Sequence, residues 1–111
     1  MKPDIRKYLY DVDVSINSIF EYLGETRDFS EYSNNKLLRR AVEREIEIIG
    51  EAINRALKQA PDLEIENARR IVDARNWVIH GYDKVDDVII WGIVVNQLPK
   101  LQQEIQRYLQ E

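Results

Sequence analysis

A chain of 111 residues with one histidine and no cysteine is long enough for one domain with one modest core. It excludes disulfides, thiol catalysis and cysteine metal sites, and a lone histidine outside any His/Asp/Glu cluster leaves no metal and no cofactor to expect. A net charge of −4 and a pI of about 5.1 argue against a broad surface that wraps nucleic acid, so any RNA contact has to come from a local basic patch.

The first residues, Met1-Lys2-Pro3-Asp4-Ile5, lack the apolar run of a signal peptide. No stretch approaches the roughly 18 apolar residues of a membrane span, so a soluble, cytoplasmic protein without a membrane partner is expected. Residues 4–23 carry Ile5, Leu9, Val12, Ile16, Ile19 and Leu23 at steps of three or four, which predicts an amphipathic helix ending at Gly24. Residues 24–33 show no period and read as a loop, in which Ser30 or Ser33 could cap the next helix.

Residues 34–59 predict the longest helix. With Leu38 at zero on a wheel, Ala41, Val42, Ile49, Ala52, Ile53 and Ala56 fall within about 60° of it, and Glu45 falls in the middle of that arc. A carboxylate there needs a partner. After Pro61, residues 66–80 predict a shorter third helix with Ile71 at the centre of an apolar arc of Ala68, Val72, Ala74, Val78 and Ile79. Arg75 falls inside that arc, near 40°, so it too needs a buried partner, and Glu45 is the acid these patterns nominate, with Glu51 as the other choice.

Beyond the polar turn Tyr82-Asp83-Lys84, Asp86 or Asp87 can cap a last helix reaching about Leu109. Its core face is Trp91, Val94, Val95, Leu98, Ile105 and Leu109, and Pro99 should kink or split it. Ile89, Ile93 and Val85 lie on its reverse face, an apolar patch of the kind that marks a partner surface. With no strand-period segment, the chain predicts an all-α bundle of four or five helices.

The chemistry concentrates on Arg75-Asn76-Trp77-Val78-Ile79-His80-Gly81-Tyr82. An arginine holds a phosphate through two parallel hydrogen bonds, and an imidazole moves a proton near neutral pH. Together they point to phosphodiester chemistry, with Gly81 ending the helix that carries them. On an ideal helix the two side chains diverge by about 140°, so they reach one phosphate only if the helix unwinds near Gly81 or a second subunit supplies one of them. The plain alternatives are a surface or capping histidine, an arginine in a structural ion pair and a packing tyrosine. The basic clusters Arg39, Arg40, Arg44 and Arg69, Arg70, Arg75 likewise read either as RNA contacts or as solvated helix faces.

These residues carry a resemblance. Arg75 through Tyr82 matches the arginine, four residues, histidine, any residue, tyrosine pattern of the HepT-like branch of the HEPN superfamily. Ala41-Val42-Glu43-Arg44-Glu45 and Ile48-Ile49-Gly50-Glu51-Ala52 resemble that branch's second-helix signature, and Asp86 to Leu98 with Trp91 fits downstream. The resemblance implies the toxin half of a toxin–antitoxin pair whose partner is a small MNT-type nucleotidyltransferase. It implies a homodimer with two arginine–histidine motifs facing one cleft and metal-independent RNA cleavage. It also implies inactivation by transfer of AMP to the motif tyrosine, here Tyr82.

Under that expectation His80 is the general base or acid on the RNA 2′-hydroxyl or the leaving 5′-oxygen. Arg75 binds the scissile phosphate and stabilises its developing charge. Asn76, four residues before His80, orients the imidazole or donates to phosphate, Tyr82 stacks on or hydrogen-bonds to RNA, and Glu45 supports the site. The alternative is a non-catalytic HEPN dimer that binds a nucleotide or a protein and regulates a partner nucleotidyltransferase.

Overall fold

Proline at the start and glycine at the end bound the first helix. In the computed structural model, which describes residues 1–25, 27–80 and 86–111, α1 runs Pro3–Leu23. Pro3 sits in the first turn, where its missing N–H has no partner to lose, and Gly24 follows at φ +70°. Ile5, Leu9, Val12, Ile16 and Ile19 are all buried, as their spacing predicts.

The expected loop over 24–33 contains a short helix, α2 (Phe29–Asn34). Six residues make under two turns, too few to display a period, so tertiary contacts hold it. Tyr32 is buried and lies 5.2 Å from the Trp91 ring, and Phe29 meets the same ring edge-on at 6.0 Å. Asp28 caps α2 by accepting from Ser30 N and Glu31 N. Asn35, rather than Ser30 or Ser33, caps the next helix by accepting from Leu38 N at 3.0 Å.

Helix α3 (Lys36–Gln59) is central, packing on α1 along one side and on α4 (Ala68–His80) along the other. It therefore buries two faces where the wheel assigned one. Val42, Ile49, Ala52, Ile53 and Ala56 are buried as expected, and Ile46, Gly50 and Glu43 join them. The Glu43 carboxylate is reached by Arg40 at 3.4 Å, and burial pushes its carboxyl above the ordinary range against the pull of Arg40 and Arg39. The segment between α3 and α4 is tied to the last helix, with Glu64 N donating to Tyr108 Oη at 2.7 Å and Glu66 N to Glu104 Oε2 at 2.9 Å.

Asp86 caps α5 (Asp87–Gly92) by accepting from Val88 N at 2.9 Å and Ile89 N at 3.3 Å. A π-helical turn over Ile93–Gln97 leads straight into α6 (Leu98–Gln110), and the Leu98 N–H reaches back to Ile93 O. Pro99 explains the wide turn. Its ring would strike the carbonyl four residues back in a regular helix, and a π turn moves that carbonyl aside. The same turn overturns one expectation. Ile93 is fully buried and Ile89 half-buried, so the proposed apolar patch of Val85, Ile89 and Ile93 does not form as predicted; Val85 lies outside the described residues. A wheel of constant pitch fails across a turn that holds more residues than 3.6. With α5, the π turn and α6 taken as one rod, the described residues form an all-α bundle of five helices, and none is long and apolar enough to cross a membrane.

Candidate active site on the fourth helix

Gly50 decides how closely α4 can lie on α3. A Cβ built there would fall 2.3 Å from Arg75 Cβ and 3.2 Å from Ile71 O, so only glycine admits the stem of Arg75 at this crossing. Buried Ile71 and Ala74 seat the same face of α4. The guanidinium of Arg75, with 25% of the side chain exposed, then emerges beside Glu51.

Arg75 Nη2 lies 2.5 Å from Glu51 Oε2, and Arg75 Nη1 donates to Asn76 Oδ1 at 2.9 Å. Glu51 Oε1 accepts from Arg55 Nε at 2.8 Å, so one carboxylate is shared by two guanidiniums. The hydrogen bond from Arg55 holds the Glu51 carboxyl below the ordinary range, with the charges of Arg75, Arg55 and Lys58 helping and partial burial opposing. Arg75 Nε is buried without a hydrogen-bond partner, and the Arg75–Glu51 contact is an ion pair rather than a well-aligned hydrogen bond.

Of the two acids expected to pair with Arg75, Glu51 does so and Glu45 does not. Glu45 instead accepts from the Tyr22 hydroxyl at 2.8 Å, which raises the tyrosine's pKa. On the wheel that places Glu45 mid-arc, Gly50 and Glu51 fall about 120° and 140° from Leu38, on the face that α4 covers. Glu45 belongs to the α1 side of α3. A glycine next to an acid, on the flank opposite the obvious apolar arc, was the available signal for Glu51, and nothing in the pattern pointed to Arg55.

Glu51, Arg55 and Arg75 line one groove of about 370 Å³, closed by Tyr8 and Asp11 from α1, by Arg44 and Glu47 from α3 and by Ile79 from α4. His80 is the last residue of α4 and is exposed, with no hydrogen bond or ion pair among the described residues. It does not line this groove. The divergence expected of Arg75 and His80 is thus present in the folded helix. Asn76 is half-buried and engaged by Arg75, on whose guanidinium it acts rather than on the imidazole. Gly81 and Tyr82, the expected helix stop and modification site, lie outside the described residues. Among the described residues no three His, Asp or Glu side chains converge as metal ligands.

A family model described as ribonuclease HepT-like matches residues 12–108. The chain belongs to this family. A Methanocaldococcus jannaschii protein provisionally named as an RNase is 36% identical over 109 residues, covering 95% of this chain and 96% of its own length. A second protein of that organism, with the same kind of name, is 29% identical over 114 residues, 99% of this chain and 91% of its own. A Thermococcus cleftensis protein provisionally named ribonuclease HepT is 31% identical over 108 residues, 96% of this chain and 97% of its own. No solved structure matches significantly. Membership in the HepT-like family agrees with the all-α bundle and makes this a ribonuclease-type HEPN chain.

Proposed function

We propose that this HepT-like chain is a metal-independent RNA endonuclease acting as a homodimer, the toxin of a pair with an MNT-type nucleotidyltransferase. The observation that carries the reading is the placement of Arg75 and His80 on one helix, the arginine braced by Glu51 in a groove and the imidazole exposed on the last turn. Relatives named as RNases support RNA as the substrate.

The RNA 2′-oxygen attacks the adjacent phosphorus while its proton passes to an imidazole; the bond from phosphorus to the 5′-oxygen breaks, and that oxygen takes up a proton. The products are a 2′,3′-cyclic phosphate and a 5′-hydroxyl. Arg75 faces the phosphoryl oxygens as their negative charge grows. Since Arg75 and His80 diverge within one copy, facing motifs from two copies supply both to one phosphate. Trp77, 45% exposed and on the same side of α4 as His80, is an apolar residue that a second copy would cover. AMP transfer to Tyr82 would add bulk and negative charge two residues from His80, blocking a phosphate-binding cleft.

RNA with 2′-deoxy substitution at the cut site resists cleavage under this mechanism, and efficient cutting of it sinks the proposal. Incubation with ATP and an MNT-type nucleotidyltransferase adds AMP to wild type and not to Tyr82→Phe. A folded dimer that binds nucleotide but cuts no RNA supports the non-catalytic regulatory module instead.

A further inference from the structure

Arg55 has no place in the arginine–histidine motif, yet it shares the groove and the carboxylate of Arg75. Charge balance in the groove is uneven. Arg44 is matched by Glu47 at 3.3 Å and Asp11 by Lys7, whereas Arg55 and Arg75 divide a single carboxylate between them. Two guanidiniums against one carboxylate leave one positive charge local to Glu51, although the groove lining as a whole holds three arginines and three acids.

The hydrogen-bonding capacity is uneven too. A guanidinium carries five N–H donors. Arg55 directs one to Glu51, which leaves four for a ligand, and its side chain is 58% exposed. It is therefore both held in place and accessible.

We infer that Arg55 is a second phosphate-binding residue of this site, holding a backbone phosphate that flanks the scissile one while Glu51 fixes its position relative to Arg75. The inference rests on the RNA-cleavage reading and extends it: the strand crosses the groove between α1 and α3 on its way to the motif helix. Arg75 takes the reacting phosphate, and Arg55 holds its neighbour and governs affinity rather than the chemical step.

The test is binding of a fluorescent, uncleavable 2′-O-methyl RNA by anisotropy between about 50 and 200 mM salt, paired with cleavage kinetics on ordinary RNA. Arg55→Ala is expected to weaken binding on the order of three- to tenfold and to reduce the slope of log affinity against log salt by roughly 0.7, the value of one single-strand phosphate contact. KM rises with it and kcat holds. Arg55→Lys keeps the salt slope because it keeps the charge, and it recovers only part of the affinity because it loses the fork. Arg107→Ala, which removes the same charge from an exposed position on α6, leaves binding unchanged. Thermal melts confirm that each variant is folded. If Arg55→Ala binds like wild type while Arg75→Ala does not, or if Arg107→Ala weakens binding equally, Arg55 holds no phosphate although the cleavage reading stands. Wild type that neither binds nor cuts RNA overturns both.

Discussion

Glu51 and Arg75 meet 2.5 Å apart at the crossing of α3 and α4, where Gly50 gives the arginine's stem room to pass. The ion pair fixes the direction of a guanidinium that would otherwise be free on a short helix. Replacing Glu51 with Gln keeps an oxygen that accepts from Arg55 and removes negative charge beside the proposed phosphate site, so KM should not rise. Arg75 loses its fixed orientation, so kcat should fall by about tenfold or more, since small misplacements of a catalytic group are costly. Steady-state kinetics separate the two; a rise in KM with kcat intact would contradict a positioning role for Glu51.

Gly50→Ala tests the crossing itself. The new methyl would sit 2.3 Å from Arg75 Cβ, and a stem atom near the backbone yields less easily than a flexible tip. A loss of roughly 1–3 kcal/mol is expected, as for other overpacked contacts. Melting temperature should drop by about 4 °C or more for each kcal/mol. Arg75 should shift with it, so cleavage declines beyond what the unfolded fraction explains.

Two carboxyls give opposite pH signatures. Glu51 is held low in the fold, so its contribution is present above the unfolded carboxyl's pKa of about 4.3 and is lost as pH falls through the folded value. Urea midpoints should therefore drop in acid, and Glu51→Gln should flatten that decline. Glu43 is held high by burial, so its ionisation disfavours the fold as pH rises past about 4.3. Glu43→Gln should raise the melting temperature at pH 7 relative to wild type and lose that advantage near pH 4. Equal pH profiles for the three proteins would contradict both assignments.

The exposed tryptophan on the motif helix bears on assembly. Trp77→Glu places charge on a residue that is already solvent-facing in one copy, so the fold should survive. If α4 joins two copies, sedimentation should move from dimer to monomer, with cleavage falling in step. A dimer unaffected by this change would place the interface elsewhere.

Most of the bundle is legible in its periodicity. The stripe from Ile5 to Ile19 and the arc from Val42 to Ala56 are buried because each follows one helix facing one neighbour. The departures have separate physical causes. Helix α2 is too short to show a period and depends on Tyr32 and Trp91, which meet only in the fold. Ile93 is misassigned because the π turn before Pro99 changes the pitch. Glu45 is nominated over Glu51 because a single wheel cannot know that α3 is covered on two sides. The motif arginine and histidine are readable from residue chemistry and Glu51 is one of two acids offered to the arginine, whereas the choice of Glu51 over Glu45 and the second arginine sharing it depend on how α3 and α4 cross.

Removing either motif side chain should separate chemistry from folding. His80 is exposed and without a partner among the described residues, so His80→Ala should melt like wild type while cleavage falls by about 10²–10⁴-fold. Arg75→Ala should lose about 10²–10³-fold with a measurable loss of stability, because Glu51 is left without one of its two arginines.

The most direct measurement is incubation of purified wild type and His80→Ala with end-labelled RNA in excess EDTA. Wild type alone should cut the RNA, leaving 2′,3′-cyclic phosphate ends. Folded wild-type dimer that leaves the RNA intact, or His80→Ala that cuts it equally well, would contradict the proposed mechanism.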